Sequence, residues 1–426
     1  MNTYKYIGNV LFNKYATVLI SAMCLSGQVV AANISKQNTG EHAISRRSDA
    51  EISAASNELG LIVLNKKRAS GETLNQVVSP WGLSNTLGML SSATSTQTSS
   101  EIYLTFQGRI FSKKKFGQQI KSVNQQLGAG QRDIIFKNAN RLWIAKSLTE
   151  TIKPALVSEL QDIYASDATP FVSSDSSSAS TVINTWVNQV TNGQIPSIVN
   201  EQTMSKNVKA VGVNAVYFNG EWLKPFVQSD NRMLNFKMGS GEVVAVPAMI
   251  GTINAKIFDQ ADFSVIEIPF KNQNFAMMIL LPAESSSLHN VLNEKLSGSN
   301  FIEFIDNGRP AEINLELPKF RITPKPDGLK TILGDLGINQ VFSQGADFSP
   351  LSNSPSISID DIYHAAGIRV DEVGVEAKSS SAAVLTAKSM KLDLRKISIN
   401  RSFLFAVMYK PSATTLFIGS IEKPEP

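Results

Sequence analysis

Between Val208 and Phe218 the chain is almost continuously apolar, and Asn214 is the only amide in the run. A strand with one wet face alternates apolar and polar residues, whereas a run like this one must be covered on both sides. It therefore demands a sheet sandwiched between other layers. The rest of the chain supplies them. Ile52, Ala55, Leu59, Leu61, Ile62 and Leu64 suit a helix. Val77-Val78-Ser79-Pro80 reads as a short strand and then a helix entry, with Ser79 as cap and Pro80 in the first turn. Asp133 to Trp143 reads as a strand and Leu148 to Tyr164 as a helix. Residues 173–180 read as a Ser-rich connector, followed by a helix with Val182, Ile183, Trp186, Val187 and Val190 on one face that stops at Asn192-Gly193. Strand-like runs follow at Phe263–Ile268, Phe275–Leu281, Ile313–Leu317, Phe403–Tyr409 and Thr415–Ile421. Helices dominate the first half and strands the second, which points to an α+β fold.

Composition excludes several functions. A net charge of +4 over 426 residues, with no large basic block, gives no nucleic-acid surface. His42, His289 and His364 lie far apart and have no metal-ligand spacing, so no metal or other cofactor is expected. There is no Gly-x-Ser-x-Gly elbow, phosphate loop or His-Glu-x-x-His, so no catalytic residues and no enzyme are expected. Residues 1–32 read as a secretory signal. Lys5 and Lys14 precede an apolar run too short to span a bilayer, and Val30-Ala31-Ala32 offers small residues for cleavage. The only cysteine, Cys24, lies inside it. The expectation is a secreted protein, extracellular or periplasmic, with no membrane attachment after cleavage. Residues 33–50 read as a flexible extension and 51–426 as a single domain. Lys113, Lys114 and Lys115 open an amphipathic helix. They read first as a solvated face and second as a weak polyanion contact.

The stretch from Glu372 to Ser389 fits neither an ordinary loop nor an ordinary strand. Alternate residues from Val375 are all slim: Val375, Ala377, Ser379, Ser381 and Ala383. The other set starts with charge, at Glu376 and Lys378. Such a face gains little by burial, because Ser and Ala carry little apolar area, yet it could slide between two existing strands without a clash. The plainer reading is a flexible Ser/Ala-rich surface loop.

Taken together, the motifs resemble the serpin family over nearly all of the chain after residue 50. Ser79-Pro80 opens the buried helix. Asn184-Thr185-Trp186-Val187 and Thr191-Asn192-Gly193-Gln194-Ile195 are similar to the helix that crosses the main sheet. Val213-Asn214-Ala215-Val216-Tyr217-Phe218-Asn219-Gly220-Glu221-Trp222 is close to the most specific serpin signature. Leu317-Pro318-Lys319-Phe320, Leu336-Gly337-Ile338, Ala346-Asp347-Phe348-Ser349, Phe403-Leu404-Phe405 and Leu416-Phe417-Ile418-Gly419 follow in the family's order. The resemblance implies three β-sheets, about eight or nine helices and an exposed reactive-centre loop. It further implies that a serine protease attacks this loop as bait and that the cut loop then inserts into the main sheet.

The resemblance also assigns roles. Glu372, Gly374, Val375, Glu376 and Ala377 would form the loop hinge. Trp222, Lys319 and Glu372 would form the breach, where the loop first enters. Ser79, Asn214 and His364 would form the shutter beneath it. In most inhibitory serpins the specificity residue lies about fourteen positions after the hinge glycine, so the resemblance implies a reactive bond at Lys388-Ser389, with Met390-Lys391 and Lys391-Leu392 as alternatives. Lysine there suits a trypsin-like protease with a carboxylate in its specificity pocket. The expected partner is such a protease, held covalently by a monomeric inhibitor. The alternative is a non-inhibitory serpin that binds, carries or chaperones. Departures from the family pattern include Gly82, where a second serine is usual and whose absence would thin the shutter, and Ser402, where proline is common.

Overall fold

Helix α1 (Gly40–Ser70) opens the computed structural model, which describes residues 40–426 apart from 72–73, 107–111, 130–132, 206, 324–327, 355–356 and 376–393. Strand β1 (Gln76–Val78) leads into α2 (Pro80–Ala93), a helix in which every residue is buried. The Ser79 hydroxyl caps α2 by accepting from the Gly82 N–H at 3.0 Å, and Pro80 occupies a position whose N–H would have had no partner. Next come α3 (Thr96–Thr105), α4 (Lys113–Gly128), β2 (Ile134–Ala145), α5 (Pro154–Tyr164), β3 (Ala168–Phe171), α6 (Ser176–Val190) and β4 (Ala210–Glu221). The strand-rich half holds β5 (Arg232–Lys237), β6 (Val243–Asp259), β7 (Phe263–Pro269), β8 (Phe275–Pro282), β9 (Arg309–Pro318) and β10 (Phe320–Ile322). It ends with β11 (Ile359–Ala366), β12 (Ile368–Val370), β13 (Gly374–Val375), β14 (Arg395–Ser398), β15 (Phe403–Tyr409) and β16 (Thr414–Ile421).

The main sheet has the order β10-β12-β13-β4-β2-β3, with β11 also paired to β4. A second ladder runs β1-β16-β15-β8-β7-β6-β9-β14, with β5 on β6. Strand β6 serves two layers: Lys256–Asp259 pair with β7, whereas Val243–Ala248 pair with β5 and Ala248–Ile257 with β9. Counting those layers separately gives the fold's three sheets.

Strand β4 is covered on both faces. Its Val211, Val213 and Ala215 pack with Ala179, Ile183 and Val187 of α6, and its Ala210, Val216 and Phe218 belong to the larger core. Asn214 shares the parity of Val216, and a Cβ on Gly82 of α2 would lie 2.4 Å from its Oδ1, so the amide faces α2.

Three sequence expectations change. The extension expected over 33–50 is helical from Gly40, Asp49 is buried, and Ile44–Pro426 forms one compact unit. The helix expected from Leu148 is split into a 3-10 turn (Lys146–Thr151) and α5, because Pro154 can start a helix but not continue one. The Ser-rich connector is instead the first turn of α6, capped by the Asp175 carboxylate, which accepts from Ser177 and Ser178 N–H. Among the described residues no helix is long and apolar enough to cross a membrane.

Candidate functional site

The chain reverses direction between β12 and β13. The Asp371 carboxylate holds the turn, accepting from the N–H groups of Val373 (3.0 Å) and Gly374 (3.4 Å). The two residues of β13 then pair antiparallel with β4, Gly374 opposite Glu221 and Val375 opposite Gly220, while Val375 also faces Val370 of β12. A Cβ at Gly374 would lie 2.0 Å from the Gly220 carbonyl oxygen, so only glycine fits. Val375 is wholly buried. The two residues of β13 therefore lie between β12 and β4.

Glu372 sits at that entry. Lys319 Nζ lies 3.1 Å from its Oε1, the Asn231 amide donates to the same oxygen, and its own carbonyl accepts from Phe226 N–H at 2.9 Å. Burial pushes the Glu372 carboxyl up, but hydrogen bonds from Asn231, from its own backbone and from Lys319 outweigh this and leave it below the usual carboxylate range. Trp222 closes the site. Its indole N–H donates to the Asp371 carbonyl at 2.9 Å, its backbone N–H donates to Val373, and its ring stacks on Phe270 with centroids 4.8 Å apart.

Deeper in the sheet, β11 runs parallel to β4 with His364 opposite Asn214. The Ser79 backbone N–H donates to His364 Nε2 at 2.9 Å, which leaves the ring proton on Nδ1 to donate to Asn214 Oδ1 at 2.7 Å. Burial, with Lys67 adding to it, lowers the His364 pKa to about 3. The Asn214 amide nitrogen donates to Asn138 and Asn140 Oδ1, each at 2.7 Å, and Thr86 Oγ1 lies 2.9 Å from the same Asn140 oxygen. Ser79 thus joins this network through its main chain, because its hydroxyl is used to cap α2.

A family model described as "Serpin (serine protease inhibitor)" matches residues 54–424. The chain belongs to the serpin family. It is 25% identical to Serpin I2 of Homo sapiens, over 82% of this chain and 86% of that protein. It is 28% identical to leukocyte elastase inhibitor A of Rattus norvegicus, over 88% of this chain and all of that protein. Among solved structures, Manduca sexta serpin-12 superposes with a TM-score of 0.76 at 26% identity, over 87% of this chain and 98% of that one. Serpins are protease inhibitors rather than enzymes, and these relatives are named accordingly.

In this serpin the polar cluster around Asn214 and His364 is fuller than the sequence suggests. Gly82, which stands where a serine is usual in the family, packs directly against Asn214. A Cβ on Gly82 would also meet Val216 Cγ2 at 2.8 Å, so α2 is pressed too tightly onto β4 for a side chain, and Asn138, Asn140 and Thr86 complete the network from β2 and α2. The sequence reading missed these residues and Asn231. The one available signal was Asn138-Ala139-Asn140, two amides at strand spacing between Lys137 and Arg141. Gly82→Ala is expected to destabilise the protein by on the order of 2 kcal/mol through overpacking, and an unchanged urea midpoint would show that α2 has room to move.

Glu376, Ala377, Lys388, Ser389, Met390, Lys391 and Leu392 lie outside the described residues, as does the signal expected over 1–32. Lys113, Lys114 and Lys115 open α4. The Lys113 ammonium donates to the Ser92 carbonyl at 2.7 Å, and Lys115 pairs with Glu51 at 2.9 Å.

Proposed function

We propose that this serpin is a secreted suicide inhibitor of trypsin-like serine proteases, acting by insertion of the loop that follows Val375. The observation that carries the reading is the buried pair Gly374–Val375, already hydrogen-bonded between β4 and β12. Continuing both registers predicts where the loop would go. Successive residues would run down β4 and separate it from β11, whose parallel ladder spans Ile359↔Ala210 to Ala366↔Val216. On that register Ser381 would arrive between Asn214 and His364 and replace their hydrogen bond. A slim polar residue suits that position, which fits the alternation of small side chains from Val375 onward. Inserting about 14 residues would add backbone hydrogen bonds worth ~1 kcal/mol each. That total is on the order of a domain's whole stability, enough to distort a tethered protease. The Lys388-Ser389 assignment, the secretory signal and a monomeric state belong to the same proposal. Lys113 and Lys115 already have partners, so polyanion contact at that helix start would be weak.

Incubation with trypsin tests the proposal. A band near the summed mass that survives boiling in detergent is expected, with the cut mapped after Lys388. Loop cleavage without that band would make the chain a trypsin substrate and favour the non-inhibitory alternative. A covalent band with the cut after Met390 or Lys391 would move the reactive bond and leave the mechanism standing.

A further inference from the structure

The turn between β5 and β6 lies over a cavity that loop insertion does not use. Its volume is about 530 Å³, within the range of small-molecule sites. Its walls come from that turn, the end of β8, the start of β15 and the end of β16. The turn approaches closely because it carries Gly239, where a Cβ would lie 2.4 Å from Glu422 Oε2 and 3.6 Å from Ser402 Oγ.

The polar groups of this cavity are unevenly matched. Glu422 is neutralised by Arg68 at 2.7 Å. Arg401 is fixed in place, Nε donating to the Pro282 carbonyl at 2.8 Å and Nη1 to Asn400 Oδ1 at 2.9 Å, both neutral acceptors. Among the described residues no carboxylate lies within ion-pair distance of Arg401 or Lys237. Glu284 also lines the cavity and acts on Arg401 only at longer range. Burial pulls the Arg401 guanidinium below its usual value, and Glu284 offsets only part of that. Arg401 and Lys237 stand side by side, joined by an isolated parallel bridge. Next to them Ser402 is 7% exposed, and its hydroxyl has no hydrogen-bond partner. A buried hydroxyl without a partner is costly and rare in native proteins. Met238 and Leu288 supply apolar wall.

We propose that this cavity binds a small amphiphilic carboxylate, with its head on Arg401 and Lys237 and its chain against Met238 and Leu288. Among the described residues neither cation has a carboxylate partner, and a partly buried guanidinium held only by neutral acceptors is suited to receive one. The apolar wall argues for a chain behind the head group.

Calorimetric titration of the whole protein with decanoate, below its micelle concentration, tests the assignment, with decanol and inorganic phosphate as controls. One decanoate per chain is expected, weakened at least tenfold in Arg401→Gln and in Lys237→Gln. Decanol should bind at least tenfold more weakly than decanoate. Lys237 is exposed, so that variant keeps the test sound if Arg401→Gln fails to fold. Absence of decanoate binding would overturn the proposal, as would equal binding of decanol or indifference to Lys237→Gln. Phosphate bound in place of decanoate would overturn the amphiphile assignment.

Discussion

Val375→Glu is expected to abolish covalent trapping while leaving the loop cleavable. In the uncut protein Val375 is buried between Gly220 on β4 and Val370 on β12. An uncompensated buried charge costs ~4 kcal/mol or more. Strand β13 is only two residues long, so the uncut variant can relieve that cost by leaving the sheet, and the fold survives. In the proposed mechanism the inserted state has no such escape, because insertion would begin at this position. Trapping is a race between insertion and hydrolysis of the acyl-enzyme, and ~4 kcal/mol on the insertion barrier slows it about 10³-fold. Hydrolysis then wins and the protease is released active. The measurement pairs the boiled gel with residual trypsin activity. Val375→Thr, of similar shape and uncharged, should retain most trapping. A full yield of covalent band from the glutamate variant would refute insertion at this hinge.

What the sequence disclosed and what it concealed differ for physical reasons. Strand β15 was readable to its end residues because Phe403–Tyr409 is buried throughout and bounded by polar residues. Strand β4 was readable because cover on both faces leaves no alternation to misread. Strand β6 was not read as an element, since it belongs to two layers and its burial pattern follows no single period. The serines of α6 read as a linker by composition. What makes them helical is the Asp175 cap and the burial of Ala179, Ile183 and Val187 against the sheet, a tertiary effect. The same holds for the candidate site. Asn214 stood out as the one amide in an apolar strand, whereas His364 entered only through the family resemblance, which supplied both roles. Asn138 and Asn140 are 76 and 74 residues from Asn214, so no local spacing could tie them to it.

Acid is expected to loosen the sheet through His364. The neutral ring accepts from Ser79 N–H at Nε2 and donates from Nδ1 to Asn214. Adding a proton would set a second N–H against that of Ser79, and burial already holds the pKa to about 3. In the unfolded chain the value is ~6.5. Between those values the unfolded state binds the extra proton and the folded state does not, so stability rises with pH. The contribution is complete above ~6.5 and is lost progressively as pH falls toward about 3, by ~1.4 kcal/mol per unit. From pH 7 to pH 5 the loss is about 2 kcal/mol. Any state in which β11 has left β4 frees the same imidazole, so acid also favours the opening that the proposed loop insertion would require. His364→Gln removes the titration while offering an amide to the same partners. Urea midpoints at pH 7 and pH 5 should therefore fall clearly in the natural protein and much less in the variant. Equal slopes would mean that another group governs the acid response, and that the His364–Asn214 bond is not what holds β4 and β11 together.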